Sequence, residues 1–206
     1  MNTEPTKTFI DEYGYRTEEW RDNEGRLHRE DGPAFIDYYP DGTVYQEDYY
    51  QHGKEHRENG PARIEYYPDG TVWREAYYQH GKEHRDKGPA TISYNSDGKI
   101  TCEAYYRDGQ LHRDGAPATI SYRDDGTVYQ EDYCQNGKLH RENGPARIFY
   151  NQDGTTRHKE YWQGGKQYYA TTRDVKNTLN TKLEAIKQRN TKRQPTMERK
   201  HGRTLS

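Results

Sequence analysis

The sequence predicts an all-β protein: an elongated single-layer antiparallel β-meander of tandem 28-residue repeats, followed by a C-terminal α-helix. Three observations carry this. Glycines 25, 53, 81, 109, 137 and 165 recur 28 residues apart without an insertion, the signature of a repeat architecture. Each unit holds two turn signals of the kind that closes tight hairpins, with short runs rich in Tyr, Val, Ile and Thr between them. The mean hydropathy of -1.53 and the 29% of hydrophobic residues exclude a thick core. Yet 21 Tyr, 3 Trp and 3 Phe supply the large amphipathic side chains that disordered chains lack.

The unit reads G-K-x-H-R-x-x-G-P-A-x-I-x-Y-x-x-D-G-T-V-x-x-E-x-Y-x-x-x. One turn signal is Asp-Gly (Asp41-Gly42, Asp69-Gly70, Asp97-Gly98, Asp125-Gly126, Asp153-Gly154) and the other is x-Gly-Lys, as in His52-Gly53-Lys54. Two antiparallel strands per unit follow. With Asp41-Gly42 as a two-residue turn, Thr43 faces Pro40, Val44 faces Tyr39, Tyr45 faces Tyr38, Glu47 faces Ile36 and Tyr49 faces Ala34. With His52-Gly53 as another, Tyr49 faces His56. Alternation then gathers Ala34, Ile36, Tyr38, Tyr45, Glu47 and Tyr49 on one face, which the copies hold nearly constant. The opposite face diverges: Phe35, Asp37 and Tyr39 become Arg63, Glu65 and Tyr67, then Thr91, Ser93 and Asn95.

Strand spacing gives about 10 Å per two-stranded repeat and roughly 50 to 60 Å for the array. Residues 1 to 24 form a degenerate N-terminal cap that keeps Gly14 and Glu19, residues 25 to 169 hold five repeats and a partial sixth, and Tyr168-Tyr169 replace the last His-Arg. After Tyr169 the period changes. Val175, Leu179, Leu183 and Ile186 line one stripe, and Thr171 with Asp174 resembles a capping box, so an amphipathic helix is expected over about 172 to 189, within segment 170 to 189. Segment 190 to 206, with Lys192, Arg193, Arg199, Lys200 and Arg203, is expected to be a disordered basic tail.

Residues 166 to 206 carry eleven Lys and Arg against three acids, so the rest, with 21 basic and 31 acidic residues, is acidic. Cys102 and Cys134 occupy different repeat positions and form neither a ligand set nor a recurring staple, which fits a reducing compartment. The first ten residues lack an apolar stretch of signal length, and no run approaches the ~20 apolar residues of a membrane span. A cytoplasmic protein without a transmembrane segment is the expectation.

The Gly-Lys and Asp-Gly turns, the spaced aromatics of Tyr49-Tyr50 and Tyr77-Tyr78 and the short meander resemble the MORN repeat family. More specifically the units are similar to the variant MORN repeats of bacterial antitoxin-like proteins, and the H-R-x-x-G-P-A signature to repeat proteins encoded by phages and large DNA viruses. The resemblance covers about residues 14 to 169. It implies a single-layer antiparallel sheet, often ended by a helix, that serves as a protein-interaction or membrane-adjacent scaffold without catalytic residues. The usual MORN unit is shorter and glycine-richer, and lacks the His-Arg and Pro-Ala elements.

Candidate functional residues divide by face. His28, His56, His84, His112 and His140 recur about 10 Å apart, too far to share one metal ion, so no metal or other cofactor is expected. They are expected to pack on the repeat's tyrosines while the adjacent arginine, Arg57 or Arg85 for example, bonds an acid or a loop carbonyl. Glu47, Glu75, Glu103 and Glu131 form a ladder of equivalent carboxylates, which lacks the asymmetry that separates a catalytic acid from a base. An ion-pair role with Arg57, Arg85 and their counterparts is expected instead. No nucleophile motif or phosphate loop is present, so the protein reads as a non-enzyme. Tyr39, Tyr50, Tyr67, Tyr78, Tyr106 and Trp162 are the candidate contacts for a protein partner, because tyrosine buries much area at low entropic cost. The tail leaves open a nucleic-acid, anionic-lipid or acidic-protein contact or simple solvation, and pairing of sheet edges leaves open self-association.

Overall fold

A computed structural model describes residues 4–169 together with Leu183, Glu184 and Lys187. The chain divides into two units, Met1–Tyr168 and Tyr169–Ser206, and every strand among the described residues belongs to the first. The helix expected over about 172 to 189 and the tail residues Lys192, Arg193, Arg199, Lys200 and Arg203 lie outside the described residues, apart from the three just named.

The fold is all-β. Thirteen antiparallel strands pair in chain order into one sheet, running from Lys7–Ile10 to Lys166–Tyr168. Each repeat adds a long hairpin, such as Phe35–Tyr38 with Val44–Asp48. It also forms a short one, such as Tyr50–Gln51 with Lys54–Glu55, and these short hairpins make four separate two-stranded sheets rather than joining the main one. The expected continuous meander is therefore corrected: two strands per repeat continue the sheet and two leave it. The parting point is Tyr49, whose N–H donates to the Ala62 carbonyl at 2.7 Å. The next repeat's strand thus occupies the ladder that Tyr50 would otherwise extend. Among the described residues no such strand follows the last repeat, and there Thr156–Gln163 runs unbroken through both roles.

The x-Gly turn is as expected. Gln51 pairs with Lys54, and both central residues, His52 (φ 48°) and Gly53 (φ 79°), take the left-handed conformation that a type I′ turn requires. The Asp-Gly turn is different. Tyr39 N–H donates to Thr43 O and Gly42 N–H to Tyr39 O, so the loop is the three residues Pro40-Asp41-Gly42, with Gly42 at φ 88°. Asp41 Oδ1 accepts from both the N–H and the hydroxyl of Thr43, which draws its carboxyl below the ordinary range. Val44 accordingly faces Tyr38, not Tyr39. The register then shifts between Asp37 and Tyr38, leaving Tyr45 as a β-bulge, and Ile36 meets Glu47 as expected. The extra loop residue and the bulge cancel. The bulge has one lasting effect: Tyr45 is turned to the face of Tyr39, against whose ring it lies at 5.2 Å, and not to that of Ala34 and Ile36.

The N-terminal hairpin shows the same compensation differently. Lys7–Ile10 and Arg16–Glu19 pair without a bulge, which advances the chain by one residue, and the following turn is one residue longer, closed by Asp22 N–H to Arg26 O. The 28-residue glycine period survives, but Glu18, not Glu19, meets Ile36 in the place of Glu47, and Trp20 takes the place of Tyr49.

The core is thin. Ala34, Ala62, Ala90, Ala118 and Ala146 are buried where the Tyr-bearing strands meet the Pro-Ala segment, and among the described residues no large side chain is fully buried. Backbone ladders and cross-repeat polar contacts therefore carry a large share of the stability.

Candidate functional site

The constant face is a closed set of mutual contacts. Its central row alternates Ile and Glu across the sheet: Ile36, Glu47, Ile64, Glu75, Ile92, Glu103, Ile120 and Glu131. Each glutamate accepts a hydroxyl from the tyrosine of the next repeat: Tyr66 to Glu47 at 2.8 Å, Tyr94 to Glu75 at 2.9 Å, Tyr122 to Glu103 at 2.7 Å and Tyr150 to Glu131 at 2.8 Å. Burial and these carboxylates push all four phenols well above their ordinary range. The expected ion pairing of Glu47 and Glu75 with Arg57 and Arg85 is thus replaced by tyrosine hydrogen bonds, because the arginines are held elsewhere.

Arg57, Arg85, Arg113 and Arg141 lie over the rings of Tyr49, Tyr77, Tyr105 and Tyr133 at 3.6 to 3.8 Å, and Arg29 lies over Trp20 at 4.0 Å. Each also donates to a loop carbonyl, Arg57 to Pro61 at 3.1 Å for instance, as expected. The glycine of H-R-x-x-G is the floor for this guanidinium. A Cβ on Gly60, already at φ 133°, would come within 3.2 Å of Arg57 Nη1.

The recurring histidines bond to backbone in the next repeat. Nδ1 of His28, His56, His84, His112 and His140 accepts the backbone N–H of His52, His80, Asp108, Asn136 and Gly164, the left-handed turn residue one repeat on, at 3.0 to 3.4 Å. His28 and His52 also stack at 4.3 Å and His56 and His80 at 4.9 Å. Every recurring histidine is a bracket between successive turns, a role invisible in sequence because its partner is 24 residues away. Among the described residues no group of three His, Cys, Asp or Glu is arranged to hold a metal ion.

The variable face is built differently. One row reads Phe35, Asp48, Arg63, Ala76, Thr91, Ala104, Thr119, Asp132, Arg147 and Glu160 across the strands. Asp48 meets Arg63 at 2.8 Å and Asp132 meets Arg147 at 2.8 Å, while Ala76 meets Thr91 and Ala104 meets Thr119. The face varies in cross-strand pairs, charged with charged and small with small. Arg63 reaches on to Glu55 at 2.6 Å, and Arg74 joins Glu65 at 3.1 Å to Glu83 at 3.3 Å, tying the short hairpins to the sheet.

The predicted contact residues sit in two columns of this face, all half-buried. Tyr39 and Tyr67 each donate a hydroxyl to the carbonyl one repeat on, Tyr66 O at 3.0 Å and Tyr94 O at 2.9 Å, so they also bind neighbouring repeats together. Tyr50, Tyr78 and Tyr106 hold one position of the short hairpins. Burial, with nearby carboxylates, pushes Tyr50 and Tyr78 up to about 12. Cys134 takes this position in the next repeat, buried and with its thiol raised to about 11 by burial, and Trp162 in the last, its Nε1 donating to Glu160 at 3.0 Å. Both cysteines are free thiols. The bulge adds a third column that the sequence reading did not place here: Tyr45, Trp73, Thr101, Tyr129 and Arg157.

No family model matches the chain, and no curated protein is significantly similar to it. Among the described residues no helix is long and apolar enough to cross a membrane.

Proposed function

We propose that this chain is a non-enzymatic scaffold, an elongated single layer of MORN-like repeats, that binds a protein partner through its variable aromatic face. One observation carries the reading. The constant face is occupied with itself, its hydroxyls bonded to carboxylates, its guanidinium groups stacked on rings and bonded to loop carbonyls and its imidazoles bonded to the next turn's backbone, whereas the other face changes from copy to copy and presents half-buried Tyr39, Tyr45, Tyr67, Trp73 and Tyr129. Rigid, partly exposed aromatics are what protein interfaces use as anchors. A ladder of equivalent, tyrosine-bonded glutamates supports a role other than acid–base chemistry. On the resemblance to antitoxin-like and phage-encoded repeat proteins, the partner is a host or defence factor that the chain inhibits in the cytoplasm.

Affinity capture with the full chain at low and moderate salt tests this. A stoichiometric protein partner is expected, retained at moderate salt, and Trp73→Ala and Tyr129→Ala are expected to weaken it by about tenfold or more each, the loss typical of an interface anchor. Unchanged binding by both variants overturns the reading.

A further inference from the structure

The N-terminal end of the variable face holds an open cleft of about 540 Å³ lined by Asp11, Tyr15, Thr17, Asp37, Tyr39 and Tyr45. Tyr39 and Tyr45 meet edge-to-face at 5.2 Å and 65°, and Tyr15 adds a third ring at 6.4 Å from Tyr39. At its floor Asp37 is half-buried and accepts the Thr17 hydroxyl at 2.5 Å. One repeat on, the equivalent Glu65 faces Arg74 and pairs with it, whereas Asp37 faces Gln46, whose amide is turned to Asp48 at 2.7 Å. Among the described residues no Lys or Arg pairs with Asp37.

The far end of the same face shows what such a cluster accommodates. Tyr129 and Phe149 meet in nearly the same geometry, 5.9 Å and 67°. There the chain supplies its own cations: Arg123 stands three repeats on from Tyr39 and Arg157 four repeats on from Tyr45, in the same columns as Tyr67 and Trp73. The Arg123 guanidinium lies 5.3 Å from the Tyr129 ring, and that of Arg157 lies 5.9 Å from Tyr129 and 5.7 Å from Phe149. Elsewhere in the molecule the same pairing recurs as Arg57, Arg85, Arg113 and Arg141 over Tyr49, Tyr77, Tyr105 and Tyr133. The N-terminal cluster has the rings and a carboxylate but, among the described residues, no arginine over them.

We infer that the Tyr15–Tyr39–Tyr45 cluster, with Asp37 beneath it, is the receptor for an arginine side chain of the protein partner. The guanidinium stacks on a tyrosine face and donates to the Asp37 carboxylate, a planar donor set that a lysine ammonium does not reproduce. Burial raises the Asp37 carboxyl above its ordinary range against the pull of the Thr17 hydrogen bond, and nearby Asp48 and Glu19 add the negative potential that attracts a cation there. The inference rests on the variable face being the docking surface and specifies the chemistry at one end of it.

The test is an amide-resolved NMR titration of the full chain with acetyl-Gly-Arg-Gly-amide and its citrulline and lysine counterparts. The arginine peptide is expected to shift Tyr15, Asp37 and Tyr45 saturably, with citrulline about tenfold weaker or more, as for the loss of a cation–π contact and a charged hydrogen bond. Asp37→Asn and Tyr45→Ala should each weaken arginine binding by about tenfold while Tyr45→Phe retains it, with the amide spectrum elsewhere confirming the fold. Equal shifts by citrulline, shifts centred on other residues, or no saturable shift overturn the inference. If the peptide fails while partner capture stays sensitive to Trp73→Ala, the arginine assignment falls and the docking face stands. If capture ignores Trp73→Ala and Tyr129→Ala, the docking face falls whatever the peptide does.

Discussion

The Tyr66 hydroxyl donates to Glu47 Oε2 at 2.8 Å across the boundary between two repeats, and the same bond recurs at every following boundary up to Tyr150 and Glu131. In a sheet whose largest buried groups are few, such bonds join repeats that apolar contact alone holds weakly. Tyr94→Phe removes a charge-assisted donor from Glu75 and is expected to cost about 1.5 to 3 kcal/mol. Glu75→Gln keeps an acceptor and should cost less. Urea midpoints of the two variants check the order, and equal losses would contradict it.

Tyr38, Tyr50 and Tyr78 have phenols raised to about 12, chiefly by burial and then by neighbouring carboxylates. Their unfolded counterparts titrate near 10. A group whose folded value is raised contributes stability that is fully present below about pH 10 and is lost as pH climbs toward 12. Absorbance at the tyrosinate band should therefore lag behind that of free tyrosine above pH 10 and then rise together with the loss of β-sheet signal. A simple titration with no lag and no coupled unfolding would refute this.

His84 Nδ1 accepts the N–H of Asp108, a residue held at φ 53°. His84→Ala removes the acceptor from a strained turn in the next repeat and is expected to cost about 1 kcal/mol. Because the effect crosses a repeat boundary, amide exchange should quicken at Asp108 more than at residues flanking position 84. Quickening confined to the mutated loop would show that the bracket does not act between repeats.

The cross-strand pairing of the variable face makes a transplant possible. Ala76 is fully buried opposite Thr91, in the place where Asp48 meets Arg63. Ala76→Asp alone buries a carboxylate beside Arg63, a cation already held by Asp48 and Glu55, and is expected to destabilise by about 3 to 5 kcal/mol. Adding Thr91→Arg should recover about 1 to 3 kcal/mol of this as coupling. A double variant no better than the sum of the singles would show that the pairs vary independently.

Much of this is legible in the sequence. The period, the hairpins, the two-residue turn at His52-Gly53, the Ile36–Glu47 register and the separation of constant from variable positions all follow from neighbouring residues, since a tight turn selects its residues locally and side chains alternate with period two. The error at Tyr45 has the same origin. A two-residue reading of Asp41-Gly42 and the actual three-residue loop with a bulge give one register at Glu47, and only the fold decides which face Tyr45 joins.

By itself the sequence determined that this chain is a β-repeat array with one invariant and one divergent face. Only the tertiary structure decided what the invariant residues do: that Glu47 serves Tyr66 rather than Arg57, that His56 serves the turn at His80, and that the short hairpins leave the main sheet at Tyr49. The reason is physical. Each of those choices is a competition for a partner in the next repeat, and which donor reaches an acceptor first depends on strand stacking that no single repeat contains.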